Sequence, residues 1–395
     1  MSSFIYLDNA ATTPIKPEVL EAMQPYLKEL YANASSIYSF AGKSKKAVDD
    51  ARETIASFLN AKPREIFFTG GGSESDNWAL KSIAHELRNK GKHIITTKIE
   101  HHAILHTCDY LEELGYEITY LNVDENGLID LEELENSIRE DTILISIMFA
   151  NNEIGTLEPI KEIGALAHKK GVLFHTDAVQ AYGHVRIDVN ELNIDLLSAS
   201  AHKINGPKGV GLLYVREGVK IGSLIHGGSQ ERGKRAGTIN TPGIVGFGKA
   251  TELADIYLEQ NAKKNSELRD YLIEHVLSEI PYTKLNGHRE TRLPNNTNFS
   301  FRFIEGESLL ILLDQNGIYG SSGSACTSGA LDPSHVLLAI GLPHEIAHGS
   351  LRLTLSEENT KEDIDYVVET LKKVVGRLRD MSPLYEDFVK CNADK

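Results

Sequence analysis

The sequence predicts an α/β protein, with a mostly parallel central sheet in a large domain and a smaller α+β domain beside it. Three observations carry that expectation. A chain of 395 residues is long for one compact core and suits a main domain plus a smaller one. From about residue 42 to 255, short β-rich runs alternate with amphipathic helical stretches, which is the order a helix-covered parallel sheet requires. Beyond residue 256 the alternation stops and long helices surround an isolated apolar strand. The expected division is therefore 15–255 for the large domain and 1–14 with 256–395 for the small one.

Taken in order, "SKKAVDDARETIASFLN" places Val48, Ala51, Ile55, Phe58 and Leu59 at helical spacing. The runs "EIFFTG", "HIITT", "TILISIMF", "GVLFHTD", "DLLSAS" and "GVGLLYV" read as strands. Gly171 follows "IGALAHKK" as a helix-ending glycine should. In the second part, "NTNFSFRF" reads as a strand and "SLLILLDQ" as a short helix. A last helix carries Ile364, Val367, Val368, Leu371, Val375 and Leu378.

Composition narrows the function class. A formal charge of −15 argues against nucleic acid, whose phosphates need a basic face. The acidity is scattered over segments such as "DLEELENSIRED" and reads as solvated surface. No apolar run approaches the ~20 residues of a membrane helix, and "MSSFIYLDNAATTP" carries no signal-peptide pattern. Three cysteines, Cys108, Cys326 and Cys391, are too few and too dispersed for a disulfide framework or a metal knuckle. The expectation is a cytoplasmic protein with reduced thiols, no metal, and no nucleic-acid or membrane partner.

Ligands of parallel sheets bind beyond the carboxyl ends of the strands, so the residues just after each strand carry the most information. After "EIFF", "TGGGSESDN" offers three glycines, with Ser73 and Asp76 spaced like a capping box. Such a start can bind phosphate through free N–H groups, and reads equally well as a tight, well-capped turn. After "GVLFH", Asp177 is either an N-cap or the partner of a ligand cation, with Gln180 nearby. After "DLLSA", Lys203 sits among His202, Gly206, Pro207 and Gly209. A desolvated lysine there could form a Schiff base, while Ser200 and His202 offer donors to an anion; a surface lysine in a turn is the plainer alternative. Together, a phosphate cradle, a carboxylate for a ring nitrogen and an imine-forming lysine are the protein parts that pyridoxal phosphate needs. A histidine of "EHHA", His101 or His102, could stack on the ring or move protons.

The order of "YLDNAATTP", "SESDN", "EHHA", "NNEIG", "HTDAVQ", "SAHKINGPKG", "ERGKRAGT" and "SSGSACTS" resembles the cysteine desulfurases, in the class V aminotransferase-like branch of fold-type I pyridoxal phosphate enzymes. The long "SSGSACTS" segment, about 320–334, is similar to the group with an extended cysteine loop. The resemblance runs from about Tyr6 to Ser356. It implies that Lys203 holds the cofactor, Asp177 meets the ring nitrogen, Gln180 the ring oxygen, and His101 the ring face. Gly72, Ser73, Ser200 and His202 would hold the phosphate, joined by Thr238 from the other subunit of a homodimer. Asn152 and Arg352 would bind the substrate carboxylate. Departures are small: Ser73 stands where threonine is common, Ser229 where a third glycine is usual, and His102 where lysine is frequent.

The implied reaction converts L-cysteine to L-alanine, with Lys203 removing the Cα proton, His101 as proton carrier, and Cys326 taking the sulfur as a persulfide. Cys108, inside an apolar helical pattern, reads as a small core residue, and Cys391 as incidental. Cys326, set among serines and glycines, reads as a nucleophile on a tether. An iron–sulfur scaffold or a sulfur-carrier protein is the expected acceptor. Selenocysteine lyase and aminotransferase activities are the enzymatic alternatives, and a non-catalytic sulfur-pathway scaffold is the alternative outside enzymes.

Overall fold

The protein is described from a computed structural model covering residues 4–322 and 333–393. Seven strands form the main sheet: β2 (Ile66–Thr69), β3 (His93–Thr97), β4 (Glu117–Leu121), β5 (Thr142–Ser146), β6 (Leu173–Asp177), β7 (Leu196–Ser200) and β8 (Gly211–Val215). Their order is β2-β8-β7-β6-β5-β3-β4, and only β8 runs against its neighbours. All six runs singled out in the sequence lie in this sheet. The strand with no sequence expectation is β4, an edge strand whose first four residues remain partly exposed.

Period-two alternation divides each strand between two cores. Phe68, Ile95, Ile145, Leu197 and Leu212 join one apolar cluster, whereas their neighbours Phe67, Ile94, Leu144, Leu196 and Leu213 join another. The first cluster packs against α2 (Ser39–Phe58) and α6 (Ile160–Lys170) and includes Val19 of α1 (Pro17–Lys28); the second packs against α3 (Gly72–Glu86) and α4 (His102–Glu113). Burial on both faces is why these strands read as continuous apolar runs. Gly171 ends α6 at φ 68°, the left-handed geometry that glycine adopts without a Cβ clash. Two short helices, α5 (Leu131–Ser137) and α7 (Gln230–Gly233), lie on connecting segments.

The second body is built on an antiparallel sheet ordered β12-β10-β9, from β9 (Thr283–Leu285), β10 (Asn296–Phe301) and β12 (Ser350–Thr354). Phe299, Phe301, Leu351 and Leu353 pack on α9 (Gly306–Asp314) and α12 (Lys361–Asp380), the latter through Ile364, Val367, Val368, Leu371 and Val375. Thr360 caps α12 by accepting from Asp363 N–H, and Asp363 returns the bond. The N-terminal strand β1 (Ile5–Tyr6) pairs in parallel with β11 (Ile318–Tyr319), so Leu7 joins this core. Helices α10 (His335–Ala339), α11 (His344–His348) and α13 (Pro383–Ala393) complete the described chain.

The 39-residue helix α8 (Thr241–Glu279) contains the position near 255 where the sequence pattern changes. Its first half gives Ile244, Phe247 and Ala250 to the sheet core, and its second gives Leu272, Ile273 and Val276 to the small core. Among the described residues, no helix is long and apolar enough to cross a membrane.

Candidate active site

A cavity of about 350 Å³ opens beyond the carboxyl ends of the parallel strands. Its lining includes Gly72, Ser73, His101, Asn152, Asp177, Gln180, Ser200, His202, Lys203 and Arg352. Ten of the residues named from the sequence therefore converge. Thr238 does not line this cavity in its own chain; it is exposed on the segment before α8. Cys326 lies outside the described residues.

The glycine-rich turn departs from the sequence expectation. Ser73 and Asp76 do not form a capping box: α3 begins at Gly72 with Gly71 as its N-cap, so Ser73 is already in the first turn. Asp76 faces the core at 1% exposure. Gly72 and Ser73 thus bring a helix start to the cavity lining, and the first N–H groups of a helix have no partner within it. A Cβ on Gly72 would come within 2.6 Å of Val179 Cγ2, so bare backbone is what fits between the turn and the β6 loop.

Asp177 ends β6. Its Oδ1 accepts from Val179 N–H at 2.9 Å, while its other oxygen has no hydrogen-bond partner among the described residues. Burial pushes its carboxyl up to about 6, against the Val179 N–H and the Lys203 charge, which pull it down. Lys203 closes a single 3₁₀ turn, Ala201–Lys203, after β7. Its Nζ donates to the carbonyls of Ala10 and Ala11, the latter at 2.9 Å. Gln180 Nε2 also donates to Ala10 O, at 3.0 Å, so the N-terminal segment closes one side of the cavity. His202 Nδ1 meets Thr12 Oγ1 at 3.1 Å, and burial lowers the ring to about 4, leaving it neutral.

The structure separates the two adjacent histidines. His101 caps α4: its Nδ1 accepts from Ala103 N–H at 3.1 Å, which places the ring proton on Nε2. Burial, then the Lys203 charge, hold it below the ordinary imidazole range. His102 turns away to stack on His106 and tilt against His335. The two asparagines of "NNEIG" divide similarly. Asn151 is buried, accepting from the Glu153 and Ile154 N–H groups and donating to Ile99 O, whereas Asn152 lines the cavity.

Arg352 stands on the opposite wall, on β12, at 5% exposure. Nη2 donates to Asp8 Oδ1 at 2.8 Å, Nη1 donates to Asn152 O at 3.0 Å, and Nε has no partner among the described residues. Asp8 and Asp76 were not singled out from the sequence as site residues. The signals available were the cross-chain Asp8–Arg352 pairing, invisible without the fold, and the four-residue spacing of Asp76 from Gly72, which turns it inward once the helix start is known. Cys108 is fully buried, and burial drives its thiol far above its ordinary range. Cys391 is exposed on α13.

A sheet topped by this set of side chains defines a class of enzyme, and comparison with known proteins agrees. The chain belongs to the aminotransferase class-V family, whose model matches residues 5–367. It is 61% identical over 397 residues, covering 100% of both chains, to the cysteine desulfurase IscS of Clostridium botulinum. A solved NifS-like protein superposes with a TM-score of 0.90 at 41% identity, over 95% of this chain and 100% of that one. SspA, solved in complex with cysteine, gives 0.80 at 39% identity over 90% and 100%. The full-length likenesses show an enzyme of the cysteine desulfurase kind, and this class depends in general on pyridoxal phosphate.

Proposed function

We propose that this cavity binds pyridoxal phosphate through Lys203 and desulfurates L-cysteine there. The observation that carries the reading is one cavity that gathers, from separate strand ends, an amine at Lys203, a half-satisfied buried carboxyl at Asp177, and anion donors at Gly72, Ser73, Ser200 and His202. Their chemistry fits the cofactor: backbone N–H groups and hydroxyls suit its phosphate, and Asp177 suits a cationic ring nitrogen. When bound, the cofactor supplies an electron sink for the substrate Cα.

The chain supplies the rest. Arg352 holds the substrate carboxylate with its guanidinium, and Asn152 lies beside it. Lys203, released from the carbonyls of Ala10 and Ala11, takes the Cα proton. His101, capped at Nδ1, presents Nε2–H to the substrate or leaving thiol. The Cys326 thiolate attacks the substrate Sγ; the Cβ–Sγ bond breaks, the sulfur stays on Cys326 as a persulfide, and proton return to the three-carbon product yields alanine. Free thiols titrate near ~8.5, so ionisation of Cys326 is part of its activation. A second copy of the chain contributes Thr238 to the phosphate in this reading. A cytoplasmic iron–sulfur scaffold or sulfur-carrier protein takes the sulfur on.

Alanine released from L-cysteine by the wild type and by Cys326→Ala, both loaded with cofactor, tests the reading. Release by the first and near-silence from the second are expected. Equal release would move the sulfur chemistry off Cys326.

A further inference from the structure

A second carboxyl lies at the floor of the cavity, and the reaction described above leaves it without a task. Asp76 is 1% exposed yet lines the cavity. Its Oδ1 has no hydrogen-bond partner among the described residues and sits 3.7 Å from His175 Nε2. Register explains this neighbourhood. His175 and Asp177 are two residues apart on β6, so both face α3, and Ser198 and Ser200 do the same on β7. Ser146 on β5 is the cross-strand partner of His175, and Ser198 that of Asp177.

His175 is held from both sides. Its Nδ1 lies 2.8 Å from Ser146 Oγ and its Nε2 lies 3.1 Å from Ser198 Oγ. Burial drives the ring down to about 3, so it is neutral and gives Asp76 no counter-charge. The other ionisable groups facing this floor are Asp177 from β6, Glu100 from the turn after β3, His101 from the cap of α4, and Lys203. Glu100 is buried, and its Oε1 accepts from Thr97 Oγ1 and Met148 N–H. Burial pushes it well above the carboxylate range too. Asp177 has the Val179 N–H and the Lys203 cation to hold its charge. Against its own burial and the Asp177 charge, Asp76 has the Ser198 hydroxyl, and its protonated form is strongly favoured. Two acids in environments this unequal take different protonation states.

We propose that Asp76 is a positioning residue that works as a neutral acid, fixed by the His175–Ser146–Ser198 chain so that Asp177 is the single negative charge under the bound cofactor. This rests on reading the cavity as the pyridoxal phosphate site. Asp76 touches no reacting atom; it acts through Asp177.

The test uses holoenzyme and reads the visible absorption of bound pyridoxal phosphate from mildly acid to alkaline pH, with the cofactor dissociation constant measured at neutral pH. Asp76→Asn keeps the shape and a donor but cannot ionise. At neutral pH it should match the wild-type band and bind the cofactor within about threefold of wild type. Across that range it should follow the wild-type band, because a carboxyl that keeps its proton and an amide carry the same charge. Asp177→Asn, at the neighbouring acid, should instead weaken cofactor binding tenfold or more. A neutral-pH band shift or a tenfold weaker affinity in Asp76→Asn would show that a charge at Asp76 was needed and overturn the proposal. So would an Asp177→Asn variant that binds the cofactor as tightly as the wild type. A wild type that acquires no visible band overturns the cofactor reading itself, whereas a wild-type band with a deviant variant overturns only the role of Asp76.

Discussion

The two walls of the cavity are built on different plans. One wall is the row of strand ends in the large sheet, where Gly72, His101, Asp177, Ser200 and Lys203 each follow or end a parallel strand. The other is an antiparallel strand and the first dozen residues of the chain, where Arg352 is held by Asp8 and the Asn152 carbonyl. The first wall is fixed by a sheet buried on both faces; the second by the pairing of β12 with β10 and, at Arg352 itself, by the Asp8 ion pair and the Asn152 carbonyl. Under the proposed reading the difference separates tasks: the strand-end row serves the cofactor, and the single arginine opposite serves the substrate carboxylate.

Substitutions can break or sharpen that contrast. The largest effect belongs to the first wall: Lys203→Ala should cut alanine release by roughly 10³-fold or more, the scale of a lost general base, and abolish the visible band of the bound cofactor. Arg352→Gln should behave differently. Its KM for L-cysteine should rise roughly 10- to 100-fold, the worth of one charged hydrogen bond, with the cofactor band unchanged; a lost band would erase the division between the walls.

Asp177→Asn gives a smaller effect, with opposite signs in the two states. A carboxyl raised to about 6 favours the fold in its protonated form, and that contribution is lost as pH rises through about 6. At neutral pH the cofactor-free Asn variant should therefore be more stable, by on the order of 2 kcal/mol, while binding the cofactor more weakly. Wild-type cofactor affinity should in turn fall as pH drops through about 6, when Asp177 takes up a proton. Denaturant melts with and without cofactor check both signs. The smallest effect lies away from both walls: Cys108→Ser buries a hydroxyl in an apolar cluster and should cost about 1–2 kcal/mol, with alanine release per folded molecule intact.

The contrast also marks what the sequence could disclose. Residues after parallel strands are legible because topology places them, so the glycine-rich turn, Asp177 and Lys203 stand out as candidates by position, and the cavity gathers them. Arg352 could not be told from other arginines by chemistry; it came through resemblance, because its neighbours Asp8 and Asn152 lie 344 and 200 positions away. Asp76 was read as a cap because helix phase was counted from Ser73, whereas Gly71 and Gly72 start the helix earlier and turn the carboxyl inward. The strand β4 escaped because an edge strand carries no continuous apolar run, and α8 hid the division between bodies because it changes cores without a break in helix.

The contacts of the N-terminal segment have one more consequence, which concerns folding. Residues 5–13 pair with Ile318 and Tyr319, bond Arg352 and Thr354, and receive the Lys203 amine. Asp8 thus meets an arginine 344 positions away, and contacts of such long sequence separation form late in folding. The large sheet gathers the strand-end row from its own neighbouring segments, but the wall opposite closes only when residues 5–13 dock on β11 and β12, so the cleft is completed last.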